Sequence, residues 1–152
     1  MRSRFFAATL LTLVACGFFS LVAADAKKAL AKFEIQLLWG TDLAKSPDAK
    51  HQPVEPDVDK KLKSLPLRFK NYFLVNKKSL TLAVGETKKE QLSEKCEVEM
   101  KNIDALKFDV AFFGKGKATA KRTQEFPVGE LLIHGGNAPG SNAWLVVLKR
   151  VQ

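Results

Sequence analysis

The densest concentration of reactive residue types is the run His134, Gly135, Gly136, Asn137, Ala138, Pro139, Gly140, Ser141, Asn142. His134 could act as a general base toward Ser141, and the paired glycines could present backbone amides to an oxyanion. Serine hydrolases that use a similar HGG run also need a G-x-S-x-G elbow on an α/β sheet, and the chain has neither. A turn explains the same residues, because Gly takes positive φ, Asn tolerates it and Pro fixes a bend. A hairpin or crossover loop is therefore expected. A small secreted hydrolase using His134 to Ser141 is the alternative, and no catalytic residue is assigned.

Metal and nucleotide chemistry find less support. His51 and His134 are far apart, and no His or Cys pair has ligand spacing. Glu55, Asp57 and Asp59 could hold a hard cation loosely, but they precede and open a candidate helix, where carboxylates complement the N-terminal dipole. No glycine-rich phosphate loop leads from a strand into a helix. The reading contains no metal ligand and no cofactor.

Charge is the remaining lead. The chain has 25 Lys and Arg against 16 Asp and Glu, a formal charge of +9. The excess is centred on Lys60 to Lys101, which carries 11 basic and 5 acidic residues. The candidate ligand-binding residues are Lys60, Lys61, Lys63, Arg68, Lys70 and Tyr72, a set that could attract an anionic glycan or an anionic lipid surface through long-range steering. Nearly all of these cations are Lys, which lacks the bidentate fork that reads phosphate geometry. Lysines on strands and turns also keep a β protein soluble and protect its edges. Nucleic acid is disfavoured as a partner, since export removes the usual target.

Export itself is read from the N-terminus. Arg2 and Arg4 precede an uncharged stretch from Phe5 to Ala24 that closes on small residues, the pattern of a secretory signal peptide. Cleavage after Ala24 or Ala26 gives a periplasmic or extracellular domain. Two alternatives remain: Leu13, Val14, Ala15 and Cys16 resemble a lipobox that would anchor a lipoprotein through Cys16, and twenty uncharged residues could just span a bilayer core of roughly 30 Å. After cleavage no transmembrane span is expected and Cys96 is the one remaining cysteine, which excludes an intramolecular disulfide.

The elements that must position these residues are strands. Phe33, Ile35, Leu37 and Trp39 share one face of a first strand ending at Gly40. A connection from Thr41 to Pro66 follows, with a short helix starting at Pro56 that places Val58, Leu62 and Leu65 at helical spacing as a lid on one end of the core. Further strands are expected over 67–76, 79–84, 87–92, 95–101, 105–113, 117–125, 131–134 and 143–151, with Lys77 and Lys78 at a turn. Alternation places Cys96, Val98 and Met100 inward, and places the strand at 117–125 near an edge facing solvent. The fold class is all-β: an antiparallel sandwich or partly open barrel of about eight or nine short strands with one short helix. The domain reading is a signal peptide over 1–24, a short disordered leader over 25–31 and a single β domain over 32–152.

The strand Leu37, Leu38, Trp39, Gly40, Thr41, Asp42 and the aromatic-basic segment from Leu65 to Lys77 resemble segments of small exported bacterial β-rich proteins. That resemblance implies export and a β fold, and carries over no activity and no functional residue. Together these readings point to an exported, non-catalytic β domain with a binding or structural role at the cell envelope. Intact-mass measurement of the exported protein should show a chain beginning at Asp25 or Lys27; retained Met1 or a diacylglycerol-modified Cys16 would contradict simple cleavage.

Overall fold

Strand β1 (Leu30–Thr41) organises the fold because both of its faces are covered. The computed structural model describes residues 30–152, and the expected signal peptide lies outside the described residues. β1 is followed by β2 (Gln52–Pro53), α1 (Pro56–Lys63), β3 (Asn71–Ala83), β4 (Thr87–Ser93), β5 (Cys96–Asn102), β6 (Lys107–Gly114), β7 (Lys117–Glu125), β8 (Leu131–Ala138) and β9 (Asn142–Arg150). One sheet runs β2-β3-β1-β9-β8, the other β4-β5-β6-β7, and every pairing is antiparallel. The two sheets face each other as a β-sandwich with one short helix. No helix among the described residues is long and apolar enough to cross a membrane.

The odd face of β1 supplies Phe33, Ile35 and Leu37 to the core between the sheets, where they meet Leu80, Leu82, Val98, Met100, Phe108, Val110, Phe112 and Phe126. Phe33, Phe108 and Phe126 are fully buried and pack edge to face, with centroid separations of 5.0 to 6.4 Å, the geometry that ring quadrupoles favour. The even face carries Leu38, which joins Val58 and Leu62 of α1 together with Tyr72, Leu145 and Val147 in a second apolar layer. α1 therefore covers the outer face of the larger sheet, and does not cap one end of the core as its position in sequence suggests. Pro56 starts the helix with its φ already set, and no side chain caps it. Glu55, Asp57 and Asp59 form separate ion pairs with Lys77, Lys149 and Lys63, respectively.

Three boundaries differ from the sequence reading. β1 already begins at Leu30, and Ala31 is buried in the core, so these two residues belong to the strand and not to a leader. The expected strands at 67–76 and 79–84 are one strand, β3, in which Lys77 and Lys78 pair with Gln36 and Ile35 of β1; Lys77 is held there by Glu34 and Glu55. β8 continues through the glycines to Ala138, so the expected loop shrinks to Pro139, Gly140 and Ser141. β7 lies at the edge of its sheet, as its lack of a large apolar residue on either face implies.

Hydrogen bonds join the two sheets at both ends: at one, Asn76 of β3 donates from Nδ2 to the Leu92 carbonyl of β4 at 2.7 Å. At the other end Asn102, fully buried, donates from Nδ2 to the Leu82 carbonyl and accepts the Ala105 N–H. Its own backbone N–H and C=O bond Glu86 and Gly85 in the β3–β4 turn, joining the two sheets. At the opposite end three ladders lose register: between Leu37 and Leu38, between Gln91 and Ser93, and between Phe112 and Phe113. Each shift leaves one unpaired residue, Val75, Leu92 and Thr119 in turn. Bulges bend and twist the strand that carries them, and here all three lie at the same end.

Gln36 shares the outer face of β1 with Leu38 and is buried, and neither atom of its amide has a hydrogen-bond partner among the described residues. An unsatisfied buried amide is destabilising by about 1–3 kcal/mol. Gln36→Met keeps the length of the side chain and removes both orphaned atoms. Urea denaturation should show the variant to be more stable by about that amount, and a destabilised variant would mean that the amide has a partner in solution.

Candidate functional site

A cleft of about 650 Å³ opens between the sheets at their bulged end. Its lining comes from β1 (Leu37, Leu38, Trp39), β3 (Val75), the β4–β5 turn and start of β5 (Ser93, Lys95, Cys96), the β6–β7 turn (Phe113, Gly114, Lys115), the β8–β9 hairpin (Asn137, Ala138, Pro139), Trp144 of β9 and His51 from the loop after β1. Volume and lining fit a ligand pocket, which is typically apolar with a few convergent polar groups.

Both tryptophans of the chain line it. Trp39 and Trp144 are direct cross-strand partners on β1 and β9, so their side chains leave the sheet side by side, with Cβ atoms about 5 Å apart. Both are half-buried. Gly136 sets the position of Trp144: a Cβ there would lie 2.6 Å from the indole Cζ2, so only glycine lets the ring lie against β8. His134 stands next to it, stacked on Phe112 at 4.3 Å and edge-on to Trp144 at 5.7 Å. The Trp39 indole N–H is buried without an acceptor among the described residues.

The cleft is electropositive at its rim. The β6–β7 turn is Lys115–Gly116, both with positive φ, as the two-residue hairpin that matches strand twist requires. The Lys115 N–H donates to the Lys95 carbonyl at 2.8 Å, which fastens the two hairpin tips together and places Lys95 beside Lys115. Outside the lining, the Lys89 ammonium sits 4.4 Å from the centre of the Phe113 ring and is paired with Glu97. Among the described residues no carboxylate lines the cleft; Glu94, next to Lys95 in the turn, stays outside it. His51 is held at the rim by a 2.6 Å contact between its Nδ1 and the Ser46 hydroxyl, a Ser–His pair that the sequence reading did not make.

The residues singled out in the sequence are placed elsewhere. Lys60, Lys61, Lys63, Arg68 and Lys70 are all exposed along α1 and the segment that follows it. Lys63 pairs with Asp59, and the Arg68 guanidinium lies over the Phe69 ring. Tyr72 is separate from them, buried at 6% exposure in the layer under α1; burial, and then the charges of Asp59 and Asp42, push its hydroxyl pKa up. It presents no aromatic surface to a ligand. His134 and Ser141 do not meet: His134 is opposite Val146 while Ser141 is in the turn beyond the Ala138–Asn142 pair, about 13 Å along the strand at 3.3 Å per residue. Desolvation, and then Arg122, lower the His134 pKa. Among the described residues no group of three or more His, Cys, Asp or Glu could hold a metal.

The paired tryptophans were missed because cross-strand register is not written in either strand alone. The available signal was that Trp39 extends the apolar face of β1 and Trp144 the alternating face of β9. No protein-family model, curated protein or solved structure matches the chain.

Cys96 faces inward, as its alternation implies, and borders the cleft floor at 9% exposure. Burial, helped by the neighbouring Glu97, pushes its thiol pKa up to about 11 from an ordinary 9.0. Since the thiolate is the reacting form, labelling of the native protein by iodoacetamide at pH 8 should be about a hundredfold slower than in denaturant and should rise through pH 10. Native labelling as fast as in denaturant would mean that Cys96 is not held in this position.

Proposed function

We propose that the chain is a non-catalytic, exported binding domain of the cell envelope that takes an anionic ligand with an apolar face into the cleft at its hairpin end. The observation that carries this reading is the pair Trp39 and Trp144 held half-open beneath a rim of lysines. A large apolar surface left uncovered is informative where a buried one would be routine. The absence of a lining carboxylate makes the site rich in donors, which favours a ligand rich in acceptors. Lys95 and Lys115 meet its charge, and the Trp39 indole N–H gains a partner once an acceptor reaches it.

The exposed cations at Lys60, Lys61, Lys63, Arg68 and Lys70 have a different part in this reading. They raise the potential around the domain and speed encounter with an anionic glycan or lipid surface, an effect of steering more than of seating. Envelope location is supported by Arg2, Arg4 and the apolar stretch that follows them.

Anilinonaphthalene sulfonate, a flat apolar anion, is a direct probe. Since both tryptophans line the cleft, intrinsic fluorescence reports its occupancy. Titration of the native protein should quench that emission, and Lys95→Gln with Lys115→Gln should weaken binding by about tenfold, equivalent to about 1.4 kcal/mol. Replacing Lys60, Lys61 and Lys63 with Gln should change affinity less and alter its salt dependence. Lack of quenching at low salt, or equal loss from both sets of variants, would contradict a seated ligand in the cleft.

A further inference from the structure

We infer that the ligand of this cleft is a single-chain anionic amphiphile, an acyl chain ending in a carboxylate or phosphate; the inference rests on the cleft being the binding site. The groups lining the cleft are graded by exposure. Lys95 and Lys115 are exposed on the hairpin tips at the mouth, whereas Leu37 and Cys96 belong to the buried core between the sheets. Val75, Trp39 and Trp144 lie between them in burial. Cations at an open mouth and hydrocarbon at a closed floor mirror a charged head on an apolar tail.

A glycan makes different demands. Each sugar unit carries hydroxyls that need donors and acceptors along its whole length, and burying them unpaired is unfavourable. Apart from the lysines, the side chains able to meet them are Ser93, His51, Asn137 and the two indole N–H groups, with His51 already engaged by Ser46. Lysines and indole N–H groups only donate, so the hydroxyl hydrogens of a sugar chain find few acceptors. An acyl chain needs no such partners.

The test is a chain-length series of alkyl carboxylates and alkyl phosphates, from about six to about fourteen carbons, each below its micelle concentration and followed by the shift in tryptophan emission. Affinity should rise by about fourfold for each methylene that enters the cleft and level off once the chain fills it. Decanoate should protect Cys96 from iodoacetamide at pH 9, where inorganic phosphate should not. Gly136→Ala, which forces the Trp144 ring to shift, should weaken decanoate; if that variant fails to fold, protection of Cys96 in the unmodified protein still decides.

Decanoate that fails to bind while anilinonaphthalene sulfonate binds would overturn the amphiphile and leave the anion cleft standing. So would affinity independent of chain length, or displacement of decanoate by polygalacturonate. Sedimentation with phosphatidylglycerol vesicles without a response to any monomeric chain would assign the charge to a membrane surface and also overturn the inference. Silence from every probe, anilinonaphthalene sulfonate included, would remove both the inference and the reading beneath it.

Discussion

Buried backbone groups must find partners, and at the closed end of this sandwich one side chain does most of that matching. Asn102 bonds the Leu82 carbonyl and the Ala105 N–H through its amide, and its main chain bonds Glu86 and Gly85. The last residue of β5 is thereby tied to the turn through which β3 of one sheet becomes β4 of the other. The opposite end is joined as well, by Asn76 Nδ2 to the Leu92 carbonyl, and there the unpaired residues Val75, Leu92 and Thr119 bend the strands that carry them. The cleft lies where the ladders slip.

Burial on both sides of β1 explains why a small domain can leave that end open. The inner face of the strand meets a layer rich in phenylalanine and the outer face meets α1, so the fold has two apolar layers on one sheet. Fully burying a Leu or Val contributes about 1.5–3 kcal/mol, and the outer layer holds Leu38, Val58, Leu62 and Val147 with no exposure. The ion pairs around α1 contribute less, since exposed pairs are worth at most about 1 kcal/mol. Their effect is on placement: Lys149 holds Asp57 and lowers its pKa, and Glu55 holds Lys77 and raises its pKa. These contacts orient the helix so that its other lysines face solvent.

How much of this was legible in sequence depended on whether a feature is local. Period-two alternation placed Phe33, Ile35, Leu37 and Cys96 on inward faces and marked β7 as an edge, because side-chain direction in a strand follows from neighbours alone. Pro56 with acidic residues behind it marked α1. Lys77 and Lys78 looked like a turn because two lysines in a row fit no face; only the ion pairs of Lys77 and the partner strand show that β3 runs through them. Gly135 and Gly136 looked like a loop for a similar reason, though Gly136 is in strand and is glycine because an indole occupies the space of its Cβ. A bulge leaves no local mark in the chain, since it is a count of residues between two partners. The candidate site was invisible to that degree: the lysines that stand out in sequence lie on α1 and the segment after it, and those at the cleft, Lys95 and Lys115, are single residues in tight turns.

The half-exposure of the two tryptophans follows from the same arrangement and is the observation on which the proposed ligand rests. Trp144 is kept in place by Gly136 and flanked by His134, so its ring has a defined seat. Trp39 is its strand partner. Closing the hairpin tips over these rings would bury more apolar surface and would add stability at about 25 cal/mol per Å². Instead the tips are fastened to each other through the Lys115 N–H and the Lys95 carbonyl, which fixes their spacing and leaves both rings half-open in the cleft.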